Sequence, residues 1–270
     1  MSIIPNISSS STYADYLTKL DASISVINSE LITGHKALTV VEQAEVLRLS
    51  TKTPQYASGE QTISQAQDVI AVAQTGLSSI KDLMARMQLI ATQASSASAS
   101  GADSYFLDRS FQGLLTEVGR LAMSSSSNGS NLLAGTASLW VKTGLDSTAG
   151  ASVVVNNVNV YGLITMGVMS GIAVDTPENS NLAMMALNQA MSNISGGQMD
   201  LQGSSKQLSA STTGLIDLSK QAQNRIDAIQ RVDTKQLRVQ LDMLQNLKST
   251  YSDLASQMNA TASSQLSILG

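Results

Sequence analysis

The amino-acid sequence predicts a mainly α chain: an elongated, coiled-coil-like helical rod with paired N- and C-terminal helices and a small β-hairpin tip. Three observations carry that expectation. Long stretches towards both ends repeat apolar residues at alternating spacings of three and four, the rhythm of a helix–helix seam. Only 3% of the 270 residues are aromatic and 13% charged, against a usual charged share of about 25%, so small and aliphatic side chains suited to close helix packing dominate. β-Branched and Asn-rich sequence is confined to a short middle stretch, too small for an independent domain.

The elements follow in order. Tyr13, Leu17, Leu20, Ile24, Ile27 and Leu31 predict a first helix, stopped at Thr33-Gly34, where glycine can turn left-handed. Residues 34–60 contain Pro54 and Gly59 and read as an irregular connector with one or two helical turns. Ile63, Ala66, Ile70, Ala73, Leu77, Ile80, Met84, Met87, Ala91 and Ala94 then keep strict three–four spacing and predict a long second helix. Ser95 to Ser104 reads as a polar turn. A third helix carries Leu107, Phe111, Leu114, Val118 and Leu121 and should return antiparallel to the second.

The middle stretch follows. In Val153 to Tyr161, an Asn-Asn pair between valine runs suggests a hairpin. Residues 137–174 contribute to neither seam and are expected to tolerate replacement by a short polar turn. Asp175-Thr-Pro-Glu178 reads as a helix start, with Thr176 as cap, Pro177 in the first helical position and Glu178 at the positive dipole end. From there a helical half runs to Leu269, with a break invited at Gly196-Gly197. Leu201, Leu208, Leu215, Ala222 and Ile229 are spaced by heptads, and Leu237, Leu241, Leu244, Tyr251, Ala255 and Met258 mark a further seam. About 90 helical residues would span roughly 135 Å, and a helix that long needs partners along its length.

Composition excludes several kinds of chemistry. With no Cys and one His, there is no disulfide framework, thiolate nucleophile or two-histidine metal site. A net charge of −4 with scattered basic residues argues against nucleic acid, which requires clustered Lys and Arg. No apolar run approaches the roughly 18–20 residues of a membrane span. The N-terminus lacks the basic and apolar regions of a secretory signal, so export is expected without a cleaved leader. His35 sits beside Gly34 without a nucleophile elbow in the chain, and reads as an exposed turn residue. Gly196-Gly197 is no phosphate cradle, and Met84, Met87, Met184 and Met185 read as core or interface filler. No enzyme activity and no cofactor is expected.

Three segments resemble a known family. Leu83-Met-Ala-Arg-Met-Gln-Leu-Ile-Ala-Thr-Gln-Ala94 resembles the flagellin helix in which an Arg-Met or Arg-Val pair precedes an Ala-x-Gln-Ala ending. Glu117-Val-Gly-Arg-Leu-Ala122 with Asn128-Gly-Ser-Asn-Leu-Leu-Ala-Gly135 resembles the next flagellin segment. Ile32-Thr-Gly-His-Lys36 is similar to the Ser/Thr-Gly turn shared by flagellins and hook–filament junction proteins. Leu38-Thr-Val-Val-Glu42 stands where the family usually has paired aspartates, and the ending Ala262 to Gly270 is only approximately similar to the family's apolar finish. Asn131-Leu-Leu-Ala-Gly-Thr136 also resembles a junction-protein turn.

The resemblance implies a structural subunit that self-assembles into the bacterial flagellar filament for motility. A hook–filament junction protein is the near alternative, and a coiled-coil adhesion or signalling protein the distant one. It implies an extracellular flagellar location after type III export. The implied partners are copies of the chain itself, an export chaperone, and cap and junction proteins, with no nucleic acid and no membrane. Residues 1–40 and 231–270 would form the inner-core helices, 41–136 and 176–230 the outer-core bundle, and 137–175 the β-rich tip. The expected subunit-interface residues are Leu17, Leu20, Ile24, Ile27, Leu31, Arg86, Leu237, Leu241, Leu244, Tyr251 and Met258. In some flagellins the arginine matching Arg86 is bound by a host toll-like receptor. Here Leu89 and Ser110 replace the expected acids, so receptor binding is doubtful.

Overall fold

A computed structural model describes residues 5–96, 101–144 and 152–269, with the side chains of 5–12, 262 and 265–269 left aside. The chain is mainly helical: α1 Pro5–Thr33, α2 Val40–Ala94, α3 Gly101–Ser124, β1 Leu139–Lys142, β2 Ser152–Val155, α4 Val160–Thr165, α5 Pro177–Gln230 and α6 Thr234–Leu269. It packs as two units, one of Met1–Thr51 with Gln221–Gly270 and the other of Lys52–Lys220. The expected polar turn after Ala94 lies partly outside the described residues, as does the link between β1 and β2.

The unit of residues 52–220 is built on α2 and α5. All ten seam residues from Ile63 to Ala94 are at most 4% exposed, and Leu187, Ile194, Leu201 and Leu208 of α5 are fully buried. Three polar pairs fix how the helices run. Gln67 Nε2 donates to Ser209 Oγ at 3.0 Å, Lys81 Nζ to Ser195 Oγ at 3.2 Å and Gln88 Nε2 to Asn188 Oδ1 at 2.7 Å. Fourteen then seven steps forward along α2 match fourteen then seven back along α5. This is an antiparallel seam in strict heptad register.

Two expected breaks are absent, for packing reasons. The connector expected over 34–60 is instead helical from Val40 onward, through Pro54 and Gly59. Pro54 lies on the exposed side, and a Cβ on Gly59 would come within 2.9 Å of Leu215 Cδ1. Gly59 is therefore a point of close helix approach. Gly196-Gly197 likewise sits inside α5, where a Cβ on Gly197 would meet Val158 Cγ1 at 2.6 Å. The break comes later, at residues 231–233, where Asp233 Oδ1 accepts from the Lys235 and Gln236 N–H groups and caps α6.

The expected hairpin has a different partner. Val153–Val155 pairs antiparallel with β1, Leu139 opposite Val155 and Lys142 opposite Ser152. The Asn pair makes no hairpin turn: Asn157 Nδ2 donates to the Gly135 carbonyl, while Asn159, at φ 41°, caps α4 by accepting from Gly162 N–H. Nor is this stretch peripheral. Val141, Val153, Val155, Val160, Met169 and Val174 are at most 3% exposed, and Val158 N–H donates to the Leu132 carbonyl at 2.8 Å. Asp108 and Gln112 of α3 hold the backbone at Val174 and Ile172. These described residues thus belong to the core of their unit, against the expectation that the stretch lies outside the packing.

Helix ends follow the sequence rules. Gly34, at φ 70°, terminates α1 and its N–H donates to the Glu30 carbonyl. Thr176 Oγ1 accepts from Asn179 N–H at 3.1 Å ahead of Pro177. Asn131 closes the end of α3 by donating to the Ala122 and Met123 carbonyls while accepting from Leu133 and Ala134 N–H.

Candidate assembly surface

In the unit of Met1–Thr51 with Gln221–Gly270, α1 and α6 lie antiparallel. Tyr251 packs against Tyr13 and Tyr16, with ring centroids 6.0 and 5.2 Å apart. Asp21 pairs with Lys248, and His35 bridges backbone-to-backbone with Arg231 at the other end. Ten of the eleven expected interface residues lie on these two helices. Leu20 and Ile27 are buried, while Leu17, Ile24, Leu31, Leu237, Leu241, Leu244, Tyr251 and Met258 are half-buried. Arg86 is apart from them, exposed on α2 in the other unit.

The contrast with α2 and α5 is physical. A core seam enclosed on all sides reaches full burial, whereas two helices alone leave the flanks of their seam open. A further apolar row is also uncovered. Val239, Met243, Leu247 and Leu254 of α6 are 38–66% exposed, and Tyr16 and Val26 of α1 are about half exposed. Seam periodicity does not single out this row, because its spacing of four, four and seven falls beside the seam residues. Exposed apolar rows of this kind mark association surfaces. The exposed Asp21–Lys248 pair orients the helices but is worth only about 0–1 kcal/mol.

The joint between α1 and α2 carries the strongest electrostatic arrangement. Lys36 Nζ donates to Glu42 Oε1 at 2.7 Å, and Thr39 N–H and Oγ1 both donate to Glu42 Oε2 at 2.9 Å. Glu42 N–H in turn donates to Thr39 Oγ1, which completes a capping box. The Lys36 ammonium first, and the Thr39 donors after it, hold the Glu42 carboxyl at about 2, below its usual 4.5. Because the folded value is lowered, this contribution is present above pH 4.5 and lost as pH falls towards 2. The protection factors of the first amides of α2, taken against intrinsic exchange at each pH, should fall over that window, and Glu42→Gln should abolish that change. Protection unchanged from pH 4.5 to 2 in the unsubstituted chain would show that the box does not hold this helix end.

Beside the joint lies a hollow of about 510 Å³ lined by Gly34, His35, Asn224, Asp227, Ala228, Gln230 and Arg231. His35 is exposed there, as expected of a turn residue, and none of the residues lining the hollow is a serine or threonine. Among the described residues no cluster of three His, Asp or Glu could hold a metal ion, and no helix is long and apolar enough to cross a membrane. Every buried side-chain polar atom described has a partner.

Residues 3–138 match the family described as the bacterial flagellin N-terminal helical region. The flagellar filament 33 kDa core protein of Treponema phagedenis is 24% identical over 257 residues, 89% of this chain and 90% of that protein. The crystal structure of Bacillus cereus flagellin superposes with a TM-score of 0.51 at 18% identity, over 57% of this chain and 88% of that one. A Vibrio parahaemolyticus chain provisionally described as a flagellar hook-associated protein superposes with a TM-score of 0.56 at 12% identity, over 71% of this chain and 99% of that one. Both structural likenesses show the fold alone.

Proposed function

The chain belongs to the bacterial flagellin family, and we propose that its terminal helices α1 and α6 are the elements by which it locks into the flagellar filament. It is a structural subunit of that filament, in a family whose role is structural. A junction role is not favoured: the hook-associated likeness is one of fold, whereas the likeness in sequence over nine-tenths of the chain is to a filament core protein. The observation that carries the assembly reading is the contrast in burial between the two seams. The α2 seam residues from Ile63 to Ala94 are at most 4% exposed, while the α1–α6 seam is half-buried except at Leu20 and Ile27 and has Val239, Met243, Leu247 and Leu254 beside it.

On this reading Leu17, Leu20, Ile24, Ile27, Leu31, Leu237, Leu241, Leu244, Tyr251 and Met258 zip the two helices together within a subunit and offer their open flanks to neighbouring copies. Residues 1–40 and 231–270 form the inner core. Residues 41–136 and 176–230 form the outer core, to which 137–175 belong. Arg86 is a contact on the outer-core helix. The chain passes out unfolded through the flagellar export channel, attended by an export chaperone, and meets cap and junction proteins at the growing end. Few charges along the terminal seams suit helices that order when neighbours arrive. Cryo-electron microscopy of the purified chain at high concentration tests the reading: a tube of many copies with α1 and α6 lining its inner wall supports it, and a persistent monomer or a short ring overturns it.

Receptor recognition would fall on α2 and α3 instead. Arg86 and Ser110 are exposed and Leu89 is 71% exposed, so the surface is reachable but lacks acids at positions 89 and 110. Losing a partner of a buried interfacial charge pair costs about 2–5 kcal/mol. The monomer should therefore signal weakly or not at all in a toll-like receptor reporter assay, and Leu89→Glu with Ser110→Glu should raise the response. A strong response from the unsubstituted monomer would show that Arg86 and the helix backbone suffice.

A further inference from the structure

The turn after α3 carries the chain's one Asn-Gly pair, Asn128-Gly129. Asn128 has φ 50° and Gly129 φ 75°, and Ser127 and Ser130 exchange both backbone hydrogen bonds, at 3.0 and 2.9 Å. Two left-handed residues between such a pair make a type I′ turn. Both central residues are exposed. Asn128 Nδ2 reaches back to the Gln65 carbonyl of α2 at 3.4 Å, tying the turn to the long helix.

We propose that Asn128 is a self-modification site, open to deamidation in the unfolded chain and closed by the folded turn. The deprotonated backbone nitrogen of Gly129 attacks Asn128 Cγ. A C–N bond forms, the Cγ–Nδ2 bond breaks, and the amide nitrogen leaves as ammonia, producing a five-membered succinimide. Water then opens the ring at one carbonyl or the other, producing an aspartyl or an isoaspartyl residue. Glycine favours the attack because no side chain shields its nitrogen, a condition met at no other asparagine in the sequence.

The turn geometry opposes the same step. Ring closure requires Asn128 Cβ and the Gly129 nitrogen to be nearly eclipsed about the Cα–C bond. The first central residue of a type I′ turn has ψ near +30°, which for an L-residue turns Cβ roughly 150° away from that nitrogen. Reaching the reactive geometry means breaking the paired Ser127–Ser130 bonds and releasing Nδ2 from Gln65. An unfolded chain carries none of these restraints. The products also fit the turn badly: a carboxylate cannot donate to the Gln65 carbonyl, and an isoaspartyl link lengthens the backbone inside a four-residue turn. A chain that ages before it folds therefore loses the tie between the end of α3 and α2.

The test is peptide mapping of the full chain by mass spectrometry after incubation at mildly alkaline pH, folded in buffer and unfolded in urea. A gain of one mass unit and an isoaspartyl product at Asn128 should accumulate at least about tenfold faster in urea, because local opening of a hydrogen-bonded turn limits the folded reaction. Asn28 and Asn179, each followed by serine, should lag behind Asn128 in urea, and Gly129→Ala should slow the unfolded reaction. Equal rates in the folded and unfolded chain would overturn the gate, and the absence of product at Asn128 in urea would overturn the site.

Discussion

Removing Leu237 to Gly270 should leave a soluble, helical chain that forms no filament. The unit of residues 52–220 keeps its own seam, in which Ile63, Leu77, Ile80, Met84, Met87 and Leu201 are each fully buried. Circular dichroism should therefore show its cooperative unfolding near the full-length midpoint. On the other unit, Leu20 and Ile27 lose their cover, and α1 should fray, since isolated helices owe most of their stability to packing. Fully burying a large apolar side chain is worth about 1.5–3 kcal/mol, and the truncation removes both the existing half-burial and whatever neighbours would have completed. Polymers of normal length would show that α6 does not carry assembly. A finer variant separates folding from assembly: Val239→Asp with Met243→Asp places charges on the uncovered row and spares the α1–α6 seam. That pair should keep the helical signal yet sediment as monomer, and normal filaments from it would remove this row from the interface.

The legible parts of the fold were those where one local rule and the packing agree. The run from Ile63 to Ala94 could be read directly because its three–four rhythm is a two-body pattern, and α5 meets it with the same rhythm in reverse. Gly34, Thr176 and Pro177 were legible because caps are local chemistry. Breaker rules mislead at Pro54, Gly59 and Gly197 because they price a residue in isolation, whereas close packing against Leu215 and Val158 supplies the reason for each glycine. A signal for the true start of α2 was present in Thr39-x-x-Glu42, a capping box immediately before the helix. The strand pairing was illegible for another reason. Val153–Val155 finds its partner in Leu139–Lys142 rather than across the adjacent Asn pair, and the asparagines serve carbonyls and a helix cap. For the assembly surface, periodicity names the residues of the α1–α6 seam. It cannot say that only Leu20 and Ile27 are buried there within one chain, since burial depends on what else covers the pair.

Replacing residues 137–174 with a short polar turn should destabilise the unit of residues 52–220, and one glycine can show why. In the intact chain Gly197 lies under Val158, whose Cγ1 and Cγ2 would stand 2.6 and 2.7 Å from an added Cβ. Valine is short and branched, with little freedom to swing aside. Gly197→Ala should therefore cost about 1–3 kcal/mol, the usual penalty for overpacking. Once the segment is replaced, Val158 is gone and Gly197 faces open space in the middle of a helix. The same substitution should then stabilise by up to about 1 kcal/mol, the helix-propensity difference between Ala and Gly. The sign of the substitution thus reports whether the middle segment is part of the core. Urea unfolding of the four chains, with and without the segment and with and without the substitution, measures both effects in one cycle. A replaced chain as stable as the intact one, with Gly197→Ala acting alike in both, would return residues 137–174 to the status of a dispensable insertion. Opposite signs would place Val158 and the α4 approach among the contacts on which α5 depends.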